Sequence, residues 1–314
     1  MTDGIVTSVG SRSCQVHVPG RGELRCTLRG LLWQSGEGGR ETRPVAVGDR
    51  VTLVLSDDAG EAGPSGVIEA VAERSNQLAR TQAGSGRRGG VQVIAANIDR
   101  LIVVAALDDP PFRPGLADRF LVAARAQEIH PVLVLNKVDL PADRSVVQPY
   151  REFGYDVLEA SAVTGEGIET LRGLMSNGIN LLVGHSGVGK SSLLNAVSPG
   201  LELATGDVTG YHGRGRHTTT RVVLVPLAGG GWVVDSPGIR EFAVQGVGPA
   251  ELARLYPGFD ELPGACRFND CRHRREPGCA VLTAVAGGAL PAERHERYLR
   301  LLEDVENQAD PFST

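Results

Sequence analysis

Ile179-Asn180-Leu181-Leu182-Val183-Gly184-His185-Ser186-Gly187-Val188-Gly189-Lys190-Ser191-Ser192-Leu193-Leu194-Asn195-Ala196-Val197 is a short apolar run, a glycine-rich turn closing on Lys-Ser, and a stretch of helical spacing. Residues 184–191 complete the pattern G-x-x-x-x-G-K-[ST] in the strand–loop–helix setting that makes it a phosphate site. Successive backbone N–H groups meet a helix N-terminus there, and both favour an anion. Gly184 and Gly189 let the backbone approach closely. Lys190 is expected at the β- and γ-phosphates, with the Ser191 hydroxyl at Mg²⁺. Gly184, His185, Ser186, Gly187, Val188, Gly189, Lys190, Ser191 and Ser192 form the candidate phosphate-binding set, in which His185 has no catalytic role.

The 314 residues contain 30 arginines, 41 glycines and only two lysines, a bias that fits GC-rich codons. A lysine kept against that bias does what arginine cannot, since a compact ammonium fits a backbone nest where a planar guanidinium clashes. The second lysine lies in Leu135-Asn136-Lys137-Val138-Asp139, an N-K-x-D pattern after the apolar run Val132–Leu135. Asp139 can accept hydrogen bonds from guanine N1–H and N2–H₂. Adenine lacks that donor pair and would leave a buried carboxylate unsatisfied. Asn136 is expected to brace the loops and the Lys137 stem to cover the base. After the strand Val157-Leu158-Glu159 comes Ala160-Ser161-Ala162, where the Ala162 N–H can hold guanine O6 beside Ser161.

Asp235-Ser236-Pro237-Gly238 matches D-x-P-G at a strand end, with Asp235 expected to hold Mg²⁺ through water and Gly238 to sense the γ-phosphate. Thr218-Thr219-Thr220 offers a hydroxyl for the same ion, Thr218 and Thr219 being the candidates. Cys266, Cys271, His273 and Cys279 supply three thiolates and one imidazole, the donor set of a closed, structural zinc site. Cys14 and Cys26 lie on expected strands and read as small core residues.

Gly4–Val9, Cys14–Val18, Glu23–Leu28, Arg50–Leu55 and Gly66–Val71 are short and mostly alternating, as in a small OB-like β-barrel over 1–82. The glycine- and arginine-rich Thr81–Gly90 reads as a linker. Residues 83–245 alternate strand and helix: Leu101–Ala106 and Val132–Leu135 are apolar runs suited to strands buried on both faces, and Leu116–Gln127 has helical spacing. Residues 246–314 read as short helices around the Cys/His cluster, with Tyr298, Leu299, Leu302 and Val305 as a packing stripe.

A net charge of −5 gives no global basic field, although arginines cluster locally. No apolar run reaches the roughly 18 residues of a membrane span, and no N-terminal signal is visible, so a cytoplasmic protein is expected. A monomer is expected as well.

The guanine-reading patterns at 136–139 and 161–162 precede the phosphate loop, the threonines and D-x-P-G, whereas an ordinary small GTPase runs the other way. Joining the original termini and opening the chain after D-x-P-G gives this order on the same sheet. A circularly permuted P-loop GTPase domain of α/β class, preceded by an OB-like barrel and followed by a small helical Cys₃His domain, resembles the ribosome small subunit-dependent GTPase A family. The resemblance covers nearly the whole chain. It implies a GTP hydrolase that binds the small (30S) ribosomal subunit and its rRNA, is stimulated by it, and acts in its late maturation. It also implies a catalytic histidine before the switch threonines, the position of His217, because the residue after D-x-P-G is Ile239, which cannot orient water. Two other readings stand against this: an ATP-using P-loop kinase or nucleic-acid-processing enzyme with a zinc accessory module, and a structural RNA-binding protein with a vestigial pocket. N-K-V-D opposes the first, and the complete set Lys190, Ser191, Asp235 and Asp139 opposes the second.

Overall fold

The computed structural model of the chain describes residues 1–29, 44–56, 65–81, 91–201, 222–235, 247–259 and 262–309. It divides into two compact units, one of Met1–Leu101, Ile168–Leu182 and Ser191–Ile239, the other of Ile102–Gly167, Val183–Lys190 and Arg240–Thr314.

In the first unit, β1 (Thr2–Val9), β2 (Cys14–Val18), β3 (Gly22–Leu28), β4 (Arg50–Ser56) and β5 (Ser65–Val71) close on themselves. The ring of pairings is β1–β2, β2–β3, β3–β5, β5–β4 and β4–β1, with β3–β5 parallel and the others antiparallel. Closure removes the unpaired edges of an open sheet. Alternation places Val6, Val16, Val18, Leu24, Leu53 and Ile68 inside, and Cys14 and Cys26 face each other in register as core residues. Gly4 is needed for packing, since a Cβ there would lie 2.5 Å from Val16 Cγ1.

The stretch read as a linker is different in part. Gln77–Thr81 (β6) and Val91–Ala96 (β7) pair antiparallel, so Thr81 belongs to a strand. Residues 82–90 lie outside the described residues, as does Trp33. The buried Asp49 carboxylate accepts from Arg74 Nε at 2.8 Å and Nη2 at 3.0 Å, and from Ala46 N at 2.7 Å. The same unit contains α3 (Ile168–Met175), β12 (Val223–Pro226), β13 (Trp232–Asp235), and all but the last residue of β11 (Ile179–Val183) and the first of α4 (Lys190–Val197). β11 and β13 run parallel, β12 returns antiparallel to β13, and Ser8 of β1 pairs with Val223 of β12.

The second unit holds β8 (Arg100–Ala106) from Ile102 onward, α1 (Pro114–Ala126), β9 (His130–Asn136), α2 (Gln148–Glu152) and β10 (Asp156–Glu159). Its C-terminal part is α5 (Pro249–Leu255), α6 (Ala280–Ala286) and α7 (Ala292–Ala309). Near-continuous burial along β8 and β9 is what strands covered on both faces require. α1 begins earlier than its apolar spacing alone indicates, because Pro114 suits the first helical position. On α7, Tyr298, Leu302 and Val305 are buried as expected. Leu301 joins them in the core, while Leu299 is half-buried.

Asp118 and Arg294 are buried charges within this unit. Asp118 accepts from Tyr150 Oη and Tyr256 Oη at 2.8 Å each and from Arg297 Nε at 2.9 Å. Arg294 donates to Pro257 O at 2.8 Å and lies over the Phe153 ring. Together these contacts tie α1 to α2, α5 and α7.

Candidate functional site

Asn136 ends β9, is buried, and donates from Nδ2 to Val188 O of the glycine-rich loop at 2.8 Å. The two sequence patterns therefore meet, although 52 residues separate them. Gly189 stands at φ +92° and a Cβ there would fall 2.3 Å from Asn136 Nδ2. Gly184, at φ +150°, would place a Cβ 2.1 Å from Val104 O of β8. Glycine is required at both positions by contact as well as by backbone conformation. Lys190 Nζ crosses the loop mouth, donating to Gly184 O and His185 O at 2.9 Å each. His185 Nδ1 lies 2.7 Å from Ser186 O, and His185, Ser186 and Gly187 are exposed. Val188 is buried, as is Asn136.

Beyond Asn136, Lys137 adopts φ +61° and its ammonium donates to Asp109 O. Asp139 accepts from Ser161 Oγ at 2.5 Å, joining the loop after β9 to the loop after β10. Ser161 Oγ in turn accepts from Val163 N at 3.2 Å and Thr164 N at 3.1 Å. Val138 N donates to Ala160 O at 3.3 Å, so backbone also links the two loops. Ala162 follows the fully buried Ser161 and is half-buried. Asp139 is an exposed residue, and the burial expected of its carboxylate is burial under a base. It lies in the loop three residues beyond the end of β9, where a base placed against it would remove it from water.

Ser191 and Ser192 open α4, and Asp235 closes β13. Parallel pairing of β11 with β13, Leu181 opposite Val234, puts Asp235 at the carboxyl end of its strand, the end from which β11 enters the glycine-rich loop. Ligands of open α/β sheets gather at those ends. His217, Thr218, Thr219 and Gly238 lie outside the described residues.

The second cluster stands in the loops before α6. Cys266 Sγ, Cys271 Sγ, His273 Nδ1 and Cys279 Sγ all lie within 4.8 Å of one another. The separations are 3.9 Å for Cys266–Cys279, 3.5 Å for Cys266–His273 and 3.4 Å for His273–Cys279. A tetrahedral ion with Zn–S of about 2.3 Å and Zn–N of about 2.0–2.1 Å requires edges of about 3.8 Å and about 3.5 Å. These three separations match those edges, and the Cys₃His set is compatible with zinc. Ala280 N donates to Cys266 Sγ and Leu282 N to Cys279 Sγ, both of which favour thiolate. Burial, helped by the neighbouring Cys279 and Cys266 sulfurs, pushes the Cys271 thiol up to about 12, and a bound cation would reverse that preference. His273 reaches the cluster at φ +60°, with its carbonyl 2.6 Å from His295 Nε2 on α7.

Sequence reading passed over Arg144, which contacts both loops near Asp139. It belongs to no motif, and only the folded path of the chain brings it there.

A phosphate loop after a buried strand, braced to an N-K-x-D loop and set on a sheet whose nucleotide elements run in permuted order, defines a circularly permuted P-loop GTPase. The RsgA GTPase family model matches residues 71–245, and the chain belongs to that family. Its relatives include the Small ribosomal subunit biogenesis GTPase RsgA of Chlorobaculum tepidum, 40% identical over 311 residues, covering 96% of this chain and 97% of the relative. The protein of the same name from Shewanella oneidensis is 36% identical over 292 residues, 91% of this chain and 78% of the relative. Among solved structures, YjeQ from Thermotoga maritima matches with a TM-score of 0.74 at 33% identity, covering 97% of this chain and 98% of that one. YloQ, described as a circularly permuted GTPase, matches with a TM-score of 0.75 at 27% identity, covering 99% and 97%. The protein is a GTPase, and the ATP-using alternative is not favoured. Among the described residues, no helix is long and apolar enough to cross a membrane.

Proposed function

We propose that this GTPase binds the small ribosomal subunit and its rRNA in the cytoplasm, is stimulated by the subunit, and acts as a monomer in late subunit maturation. The observation that carries this reading is the family membership itself. The relatives that share it along nearly the whole chain bear the name Small ribosomal subunit biogenesis GTPase RsgA.

Within the site, Asp139 reads guanine N1–H and N2–H₂, the Ala162 N–H meets O6, and Lys137 covers the base. The exposure of Asp139 bears on selectivity: guanine satisfies the carboxylate as it buries it, whereas adenine buries it unsatisfied. Residues 184–192 hold the phosphates, with the Lys190 ammonium exchanging its carbonyl partners for phosphate oxygens. Ser191, Asp235 and one of Thr218 and Thr219 would hold Mg²⁺, which would supply charge neutralisation at the phosphates. Gly238 senses the γ-phosphate, and His217 orients the attacking water. Zinc held by Cys266, Cys271, His273 and Cys279 is structural: four protein donors leave no open coordination position. The working modules are the barrel 1–82, the GTPase domain 83–245 and the zinc-binding segment 246–314.

The test compares GTP and ATP hydrolysis with and without purified small subunits, for the wild type and for His217→Ala. GTP-selective turnover that rises with subunits, and a subunit-stimulated rate lost in His217→Ala without loss of GTP affinity, is the expected result. Turnover indifferent to subunits would refute the ribosomal reading, and an unchanged rate in His217→Ala would remove the histidine from catalysis.

A further inference from the structure

Arg144 opens a short 3₁₀ turn, Arg144–Val147, which Asp143 caps by accepting from Ser145 N at 2.8 Å. Its guanidinium faces the two loops to which the preceding reading assigns the base. Nη2 donates to Val138 O at 2.8 Å, the carbonyl immediately before Asp139. Nη1 donates to Glu166 Oε1 at 2.7 Å and Nη2 to Glu166 Oε2 at 3.3 Å, a two-pronged pair. Nη1 also donates to Glu159 Oε2 at 3.1 Å. Glu159 ends β10 just before Ala160-Ser161-Ala162, and Glu166 closes that loop, its carbonyl accepting from Ser161 N at 2.9 Å. One planar group thus holds the peptide beside Asp139 and both ends of the loop carrying Ser161 and Ala162.

The loop is shaped for that grip. Gly167 stands at φ +73°, and a Cβ there would come 2.0 Å from Glu159 O, so the chain turns back tightly onto β10. Gly165 N donates to Ser161 O at 2.9 Å, which closes the turn on itself. Arg151 Nη2 holds the second oxygen of Glu159 at 2.7 Å and fixes the carboxylate that Arg144 shares. A fork of parallel N–H donors matches a carboxylate and a carbonyl at once, a task for which lysine has the wrong shape.

We propose that Arg144 is a positioning residue for guanine selectivity. It sets the spacing between the Asp139 carboxylate, which takes the N1–H and N2–H₂ edge, and the Ser161–Ala162 backbone, which takes O6. It acts through those residues and does not touch the base. Selectivity of this type depends on both contacts being met at once, so a loosened clamp lets one contact form without the other. The proposal rests on the reading of Asp139 as the guanine-reading group, and the experiment separates the two.

Affinities for GDP, for XDP and for IDP, whose base lacks the 2-amino group, are measured for the wild type, Arg144→Gln, Arg144→Lys, Glu166→Gln and Asp139→Asn, with thermal stability recorded for each. Arg144→Gln is expected to bind GDP about tenfold more weakly and IDP with a smaller loss, so that the GDP/IDP preference falls. KM for GTP rises, while kcat at saturation holds within about twofold. Arg144→Lys recovers a fraction of the preference. Glu166→Gln, which keeps the guanidinium but weakens its pair, moves the ratio in the same direction and serves if Arg144→Gln does not fold. Asp139→Asn is expected to exchange GDP preference for XDP. If Asp139→Asn changes base preference but Arg144→Gln and Glu166→Gln lower stability with the GDP/IDP ratio intact, the clamp is overturned and Arg144 is only structural. If Asp139→Asn leaves base preference unchanged, the guanine-site reading fails, and the clamp fails with it.

Discussion

Asn136 Nδ2 donates to Val188 O at 2.8 Å, so the end of a buried strand and the middle of a glycine-rich loop are held by one side-chain hydrogen bond. Both residues are buried, and Asn136 Oδ1 has no partner among the described residues. Replacing Asn136 by Ala leaves the Val188 carbonyl unsatisfied, a loss of about 1–3 kcal/mol. The expected outcome is nucleotide affinity lowered at least about tenfold with the fold retained. Calorimetric titration with GDP, paired with circular dichroism, checks it; wild-type affinity would show that the brace is irrelevant to binding.

Gly189→Ala is expected to act on the same bond from the other side. The new methyl would stand 2.3 Å from Asn136 Nδ2 at a φ of +92° that alanine disfavours. Such strain costs on the order of 1–3 kcal/mol before the clash is counted. GTP turnover should fall by more than an order of magnitude. Turnover near wild type would mean that the loop relaxes freely.

Removing metal should unfold the segment around Cys266–Cys279 before the rest of the chain. Structural zinc supplies folding energy directly, whereas the loop's other ties, His295 to His273 and Arg272 and Arg274 to Glu306, all run to α7 and do not join its cysteines. Treatment with a strong chelator, or Cys271→Ser, is expected to release about one zinc per chain and raise amide exchange across residues 262–290. Exchange that does not change on chelation would argue that packing alone shapes the segment.

Asp118→Ala should destabilise by about 3–5 kcal/mol, because Arg294 is left buried with its cation poorly compensated. Adding Arg294→Met should return part of that loss by removing the stranded charge. Urea denaturation of the two variants is the measurement; equal stability of single and double variants would show that the network is more than a charge pair.

Glu276 carries a pH signature. Burial acts to raise its pKa, but backbone N–H groups of Arg272, Glu276, Arg275 and Arg274 outweigh it and hold the carboxyl at about 2. Its folded pKa is depressed, so it contributes stability above the unfolded value near about 4.3, and that contribution is lost as pH falls from there through about 2. Carbon NMR at about pH 3.5 should still find the carboxylate form. A midpoint near the unfolded value would show that these N–H bonds do not persist in solution.

Much of the site could be read from single stretches of chain. Residues 184–191, 136–139 and 161–162 each carry their chemistry in consecutive residues, because phosphate cradling and strand-end loops are local devices. The barrel strands were legible from their alternation, since one face of each meets the core. The pairing of β6 with β7 was not, because glycine and arginine between them look like a linker. Leu301 was missed and Leu299 overvalued on α7, a choice between neighbouring helical positions that depends on which face the partner elements cover. The exposure of Asp139 was also hidden, since burial depends on the space around its loop.

By itself the sequence determined the class of chemistry: the order of the nucleotide motifs, the lysines kept among arginines, and a donor set of three cysteines and one histidine. Those are matters of residue type and short spacing, which the backbone preserves in any arrangement. Tertiary structure alone decided that Asn136 grips Val188, that Arg144 spans the loops beside Asp139, and that Asp118 gathers two tyrosines and an arginine. Each joins polar groups far apart in the chain, and a hydrogen bond forms only where folding brings donor and acceptor within about 3 Å and excludes water from between them.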